Sequence, residues 1–251
     1  MKNSLLIAVV LAAAIPVRAQ KVIEKHFDLS GSGFVSMNFQ ISDSIRIVTW
    51  KKNEVYVKST IDVNDNKNND DYKETFDESS STINITAKLE TNCNGYHTHR
   101  RSSESSHRSS DSSHRSADSS HRSADNDNDN NCCCCCNCET YIYHEIYIPE
   151  NTDFSVETIN GNIVISGNTA EIRAKSISGY IDLTMAPEKP AAIRMRTISG
   201  TMYSNFDLGG INGRSRQVGG RTLDAQINGS GGKAVDLETI SGDIFFRKQG
   251  S

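Results

Sequence analysis

The chain has 251 residues, a formal net charge of -4 and 36% hydrophobic residues, enough material for one or two domains. Its mild acidity, with no concentrated basic patch, gives no support for a nucleic-acid-binding surface. Ile, Val, Thr, Ser, Asn and Gly are plentiful while Leu is sparse beyond the first nineteen residues, a balance that suits short strands and tight turns and is poor material for helices.

Residues 1–19 read as a secretory signal. Lys2 supplies a short positive region, Leu5 to Ile15 form an apolar run, and Val17-Arg18-Ala19 places small residues where a signal peptidase cleaves. The run is well short of the ~20 residues that span a bilayer, so cleavage after Ala19 is expected rather than anchoring. Loss of Lys2 and Arg18 takes the net charge from -4 to -6. No Cys at the cleavage point points to a lipid anchor. No later stretch is apolar enough to cross a membrane, so the expected product is exported: periplasmic, cell-surface or secreted.

Residues 20–90 read as β. Val35, Met37, Phe39 and Ile41 alternate with polar residues, as do Ile45 and Ile47, Val55 and Val57, Ile61 and Val63, and Ile83, Ile85, Ala87 and Leu89. Period two places each set on one face of a sheet. Ser42-Asp43-Ser44, Lys51-Lys52-Asn53 and the stretch 64–71 read as turns or loops between the runs.

Residues 91–138 form a low-complexity insert. Three seven-residue units, 102–108, 109–115 and 116–122, each end in Ser-Ser-His-Arg. No position recurs as apolar in them, so no coiled-coil seam exists, and disorder is expected. Below about pH 6 the histidines would make the tract cationic. Cys132, Cys133, Cys134, Cys135 and Cys136 follow in one run, then Cys138. With Cys93 the chain has seven cysteines, an odd number. Paired Cys is the default in an oxidising compartment, and Cys93 with Cys138 at the neck of the insert is the candidate disulfide. Thiolates beside His97, His99, His107, His114 and His121 are also ligand types that zinc and copper(I) prefer, although five consecutive Cys do not match a zinc-finger spacing. A Ser-His-Asp triad in this tract is rejected, because a disordered repeat cannot hold catalytic geometry. His144, alternating with Ile142, Ile146 and Ile148, reads as a satisfied histidine at the edge of a core.

Residues 139–251 return to strands with a visible repeat. Thr158-Ile159-Asn160-Gly161-Asn162-Ile163 recurs as Ser176-Ile177-Ser178-Gly179-Tyr180-Ile181, as Thr197-Ile198-Ser199-Gly200-Thr201-Met202 and as Thr239-Ile240-Ser241-Gly242-Asp243-Ile244. The glycines Gly161, Gly179, Gly200 and Gly242 are 18, 21 and 42 positions apart, the last interval being twice 21. A weaker copy, Gln226-Ile227-Asn228-Gly229, falls inside it out of phase. A period near twenty predicts stacked units with structural turns at these glycines and the flanking isoleucines laddered in a shared interior. The fold expected is all-β: a β-solenoid of stacked short strands, continuing from residues 20–90 through 139–251. The alternative is a β-sandwich of hairpins, since Asn-Gly between apolar residues is also a hairpin signal.

The run Glu145-Ile146-Tyr147-Ile148-Pro149, followed by residues 154–163 and by the Ile-Ser-Gly repeats through Ile244, resembles the bacterial putative-adhesin domain of unknown function. Residues 45–50 and 54–57 are similar to the opening strands of that family. The resemblance covers most of residues 30–90 and 140–248. It implies an exported β-strand-repeat protein with no established catalytic residues or cofactor. The functional expectation is therefore a non-catalytic envelope protein, an adhesin or structural module that binds a protein or glycan through repeated strand surfaces. The alternative is a metal-binding or redox-sensing role of the His/Cys insert. A third and weaker option is an enzyme with carboxylates in a groove of the stack, although no phosphate loop, G-x-S-x-G or H-E-x-x-H is present.

Overall fold

In a computed structural model the described residues are 20–29, 33–79, 81–90, 139–168, 170–208, 221–229 and 231–250. Residues 1–19, expected as a signal, and the insert, with its cysteines and with His97, His99, His107, His114 and His121, lie outside them. The described residues form fourteen strands in one mixed sheet that is not closed into a barrel. In chain order the strands are β1 (Lys21–Asp28), β2 (Phe34–Trp50), β3 (Glu54–Val63), β4 (Tyr72–Glu78), β5 (Thr82–Leu89), β6 (Thr140–Pro149) and β7 (Asp153–Ser166). They continue with β8 (Ile172–Ser178), β9 (Ile181–Met185), β10 (Ala191–Ser199), β11 (Met202–Ser204), β12 (Arg221–Ile227), β13 (Lys233–Ser241) and β14 (Ile244–Lys248). A single 3-10 turn, Asn69–Asp71, interrupts them.

The long strands β2 and β7 are the key to the layout, because each belongs to two walls. Residues 34–39 of β2 pair with β5 on one side, and 34–41 pair with 153–160 of β7 on the other. Residues 44–50 pair instead with β6 and with 162–166 of β7. The register slips between Ile41 and Ser44, so Ser42-Asp43-Ser44, expected as a turn, is a bulge at which the strand bends and continues. One wall then runs β4–β5–β2–β7–β8–β13–β10–β12, and the other β1–β3–β6–β2–β7–β9–β14–β11. Side chains meet between the walls: Phe27 of β1 packs 5.5 Å from Phe76 of β4, and Phe39 of β2 stacks 4.1 Å from His144 of β6.

Five strand–bend–strand units lie parallel in the middle: 34–50, 153–166, 172–185, 233–248 and 191–204, in that spatial order. Antiparallel strands flank them at both ends, with β1 and β3 beside β6, β4 beside β5, and β12 beside β10. The unit 233–248 comes last in the sequence yet sits between 172–185 and 191–204. The double glycine interval is thus not a missing unit of a stack built in chain order. The weaker copy is no bend either: it closes β12, with Asn228 and Gly229 in left-handed backbone.

Alternation predicted the core well. Val35, Phe154, Ile172, Val235 and Ile193 form one buried ladder across five strands, and Ile47, Ile165, Leu183 and Phe246 another on the second wall. Each such side chain contributes roughly 1.5–3 kcal/mol by leaving water. The first isoleucine of the motif is a correction. Ile159, Ile177 and Ile198 are 47, 39 and 47% exposed, whereas Thr158, Ser176, Thr197 and Thr239 are buried. With Phe154 and Val156 inward, period two makes Thr158 inward and Ile159 outward. The bend then places Asn160 outward as well and returns Gly161 to the inside.

The glycines are required by close backbone approach. A Cβ on Gly179 would lie 2.1 Å from the carbonyl oxygen of Gly161, on Gly242 2.1 Å from that of Gly179, and on Gly200 1.9 Å from that of Gly242. The same carbonyls accept hydrogen bonds from the buried hydroxyls of the neighbouring unit: Ser176 to Gly161 at 2.9 Å, Thr239 to Gly179 at 3.1 Å and Thr197 to Gly242 at 3.0 Å. The Thr/Ser and Gly of the motif thus act across units. Thr158, facing the bulge of β2 instead of a glycine bend, has a buried hydroxyl with no partner among the described residues.

Candidate functional site

Two constellations stand out, one between the walls and one on a surface. Alternation turns Ser59 of β3, His144 of β6 and Tyr72 and Glu74 of β4 toward each other across the layers. Ser59 donates to Glu74 Oε1 at 3.0 Å and lies 2.8 Å from His144 Nδ1. While Glu74 is ionised the Ser59 hydroxyl proton is committed to it, and His144 then carries hydrogen on Nδ1 and donates to Ser59. Nε2 then accepts from the Tyr72 hydroxyl at 3.4 Å. His144 is 1% exposed, and burial holds its pKa down at about 3, so it is neutral. Burial raises Glu74 to about 7, offset in part by the Ser59 hydrogen bond, while its Oε2 has no partner among the described residues. Burial, with Glu74 adding to it, pushes the Tyr72 hydroxyl well above its ordinary value. Although serine, histidine and glutamate are all present, serine sits in the middle of the chain of bonds and is 0% exposed. A nucleophile needs a base on one side and substrate on the other, so this arrangement does not match a hydrolytic triad. It ties strand β4 to β3 and β6.

The second constellation is on the outward face of the second wall, where β2, β6, β3 and β1 run side by side. Registration aligns their outward residues in rows. One row has Tyr147 of β6, Tyr56 of β3 and His26 of β1 opposite each other, with Trp50 at the end of β2 beside Tyr147. Ring centroids are 5.1 Å apart for Trp50–Tyr147, 5.9 Å for Tyr147–Tyr56 and 4.7 Å for Tyr56–His26, with tilts of 35, 41 and 45°. The Trp50 indole is fixed by donating to the Glu54 carbonyl at 2.8 Å, and Lys52 Nζ lies 4.3 Å above its ring.

The next row alternates in charge, with Arg46, Glu145, Lys58 and Glu24 in order across the four strands. Arg46 lies 3.7 Å from Glu145, and Lys58 lies 3.8 Å from Glu24. Burial, followed by the Glu24 carboxylate, raises the Tyr56 hydroxyl pKa. The third row holds Ser44, Tyr143 and Thr60, and Tyr143 is 47% exposed. Ser44, Arg46, Lys58, Thr60, Tyr143, His144 and Glu145 line a half-open depression of about 340 Å³.

Of the site residues expected from sequence, Gly161, Gly179, Gly200 and Gly242 are brought together in the stacked bend described above. Cys93, Cys138, Cys132, Cys133, Cys134, Cys135, Cys136 and the five insert histidines lie outside the described residues. Just beyond the insert, Glu90 N donates to the Asp71 carbonyl at 2.7 Å and Glu139 N to Asn64 Oδ1 at 3.1 Å, so both flanks are held by the loop 64–71. Among the described residues no cluster of three or more His, Cys, Asp or Glu could hold a metal ion, and no helix is long and apolar enough to cross a membrane. The aromatic row escaped sequence reading, because its members lie at 26, 50, 56 and 147. The local signal was the outward tyrosines of Tyr141-Ile142-Tyr143 and Tyr147, bulky rings at positions that period two assigns to water.

The fold and its surfaces define an all-β protein of one mixed, bent sheet with an aromatic and charge-alternating outer face. No family model matches the chain, and no curated protein matches it. A crystal structure of a putative cell adhesion protein from Clostridium sporogenes ATCC 15579 is similar, with a TM-score of 0.49 and 10% identity over 92% of this chain and 100% of that chain. A likeness this slight carries no function across. The resemblance to the putative-adhesin domain rests on the motifs quoted above.

Proposed function

We propose that the chain is an exported, non-catalytic binding module of the cell envelope, an adhesin or scaffold built on a short β-solenoid. The parallel units with glycine bends support the solenoid reading, and the antiparallel strands flanking them act as its caps. A capped stack presents wide lateral faces whose side chains repeat in rows, a form suited to extended partners.

The observation that carries the binding reading is the contiguous outward row of Trp50, Tyr147, Tyr56 and His26 beside the alternating charges. Isolated exposed rings are ordinary, whereas a contiguous apolar surface rimmed by polar groups marks an interaction site. Tyrosine and tryptophan suit that use, since each offers a large rigid ring with a polar handle.

The test is co-sedimentation of the purified mature chain with envelope fractions of its own cells, paired with attachment assays on deletion strains. Saturable co-sedimentation and altered attachment are expected, and both are expected to be rescued by a chain lacking residues 91–138. Unchanged attachment on full deletion, with no retention on envelopes, would remove the reading.

A further inference from the structure

We infer that the outward face of β2, β6, β3 and β1 binds an extended, uncharged polysaccharide, laid across the strands along the aromatic row with its hydroxyls on the charged row. This names a ligand class for the binding module proposed above and rests on that reading.

The chemistry of the rows selects the class. Trp50, Tyr147 and Tyr56 are each half-buried, packed against one another at tilts of 35 and 41°, with Lys52 over one face of the Trp50 ring. A sugar ring has an apolar C–H face and a rim of hydroxyls, so it needs an aromatic face and, beside it, both donors and acceptors. Arg46 and Lys58 donate, Glu145 and Glu24 accept, and the four charges sum to zero. A row of that kind attracts neither a polyanion nor a polycation over a neutral chain. Tyr143 on the far side of the charged row supplies a second ring, and Ser44 and Thr60 add hydroxyls to the depression between.

Shape separates a glycan chain from other occupants. The depression is half open to solvent, whereas sites for small molecules bury most of their ligand. An extended peptide gains most of its affinity from backbone bonds to a free strand edge. Here the rows lie on the side-chain face, where the backbones of β3, β6 and β2 are paired on both sides. Among the described residues the outer edge of β1 is unpaired, so a peptide would lie along β1, beside the rows and parallel to the strands rather than across them. The Tyr147–Tyr56 and Tyr56–His26 spacings of 5.9 and 4.7 Å follow from strand spacing, and Trp50, diagonal to Tyr147 at 5.1 Å, extends them into a line of ring contacts for successive sugars.

Trp50 is the only tryptophan in the chain, so its fluorescence reports this face without any substitution. The mature full chain is titrated with hydroxyethylcellulose, galactomannan and xylan, with polygalacturonate and a proline-rich peptide as the competing classes. Affinity electrophoresis is run in parallel. At least one neutral glycan is expected to shift Trp50 emission saturably, with little dependence on salt. Tyr147→Ala and Tyr56→Ala are each expected to weaken it tenfold or more without lowering the melting temperature below the assay range. Ile177→Ser, on the other wall, is expected to leave binding unchanged.

No emission or mobility change with any neutral glycan would overturn the inference. So would salt-sensitive binding of polygalacturonate alone, binding of the peptide alone, or binding that survives both tyrosine variants. Envelope co-sedimentation of the same proteins separates the two levels. Retention on envelopes without glycan binding would sink the ligand class and keep the binding module; loss of both would sink both.

Discussion

The insertion of β13 between β8 and β10 is expected to be enforced by charge. On the outward face of the first wall, Glu157, Lys175, Glu238 and Arg196 lie in one row across β7, β8, β13 and β10. Arg173, Asp236, Arg194 and Asp224 form the next across β8, β13, β10 and β12. Signs alternate along both rows. Had β10 stacked directly on β8 in chain order, Arg173 would face Arg194 and Lys175 would face Arg196. The perturbation is Glu238→Lys, which turns two favourable cross-strand neighbours into two repulsive ones. Such pairs are worth roughly 0.2–1 kcal/mol each. Arg196 and Glu238, 3.7 Å apart, have side chains 52 and 31% exposed, which places each pair in the lower half of that range. Two attractions lost and two repulsions gained give a loss of about 1–2 kcal/mol, or roughly 2–8 °C in melting temperature. The assay is thermal and urea unfolding in low salt and in 1 M salt, where screening shortens to about 3 Å. Glu238→Gln is expected to lose about half as much. Lys175→Glu with Arg196→Glu in the Glu238→Lys background is expected to recover part of the loss. A low-salt melting point equal to the parent, or a loss that is the same in 1 M salt, would refute the reasoning.

Three further outcomes are expected. Gly179→Ala should cost about 3 kcal/mol or more, because its Cβ meets the Gly161 carbonyl at 2.1 Å, whereas Gly229→Ala, with nothing within 4 Å, should cost about 1–2 kcal/mol from its φ of +98° alone; urea midpoints measure both. For pH, the two buried groups oppose each other. His144, lowered to about 3, makes stability rise with pH between 3 and 6.5, while Glu74, raised to about 7, makes it fall between 4.5 and 7. The parent should therefore be nearly flat from pH 4.5 to 6.5, and Glu74→Gln should steepen into a rise there, ending on the order of 2 kcal/mol more stable at pH 7.5. A parallel shift of the two unfolding profiles with no change in slope would contradict the assignment. Finally, non-reducing peptide mapping should link Cys93 to Cys138, with reduction lowering stability by up to roughly 4 kcal/mol; finding Cys93 free would remove that bond.

The sequence by itself determined the all-β class and the inward residues of the strands that alternate regularly, though not those of the glycine motif, whose first isoleucine faces out. Alternation at Val35-Met37-Phe39 or Ile142-His144-Ile146 is a local property, and period two decides which residues face inward wherever a strand is placed. The glycine motif was legible as a bend, and its repetition as parallel units. What each motif residue does was not, because the partners are non-local. The carbonyl that forbids a side chain at Gly179 belongs to Gly161, and the hydroxyl that bonds Gly179 comes from Thr239. Tertiary structure alone decided that the last unit enters the middle of the stack. It alone drew His26, Trp50, Tyr56 and Tyr147 into one row, since register between strands far apart in the chain is set by the packing of the whole sheet and by no neighbouring residue.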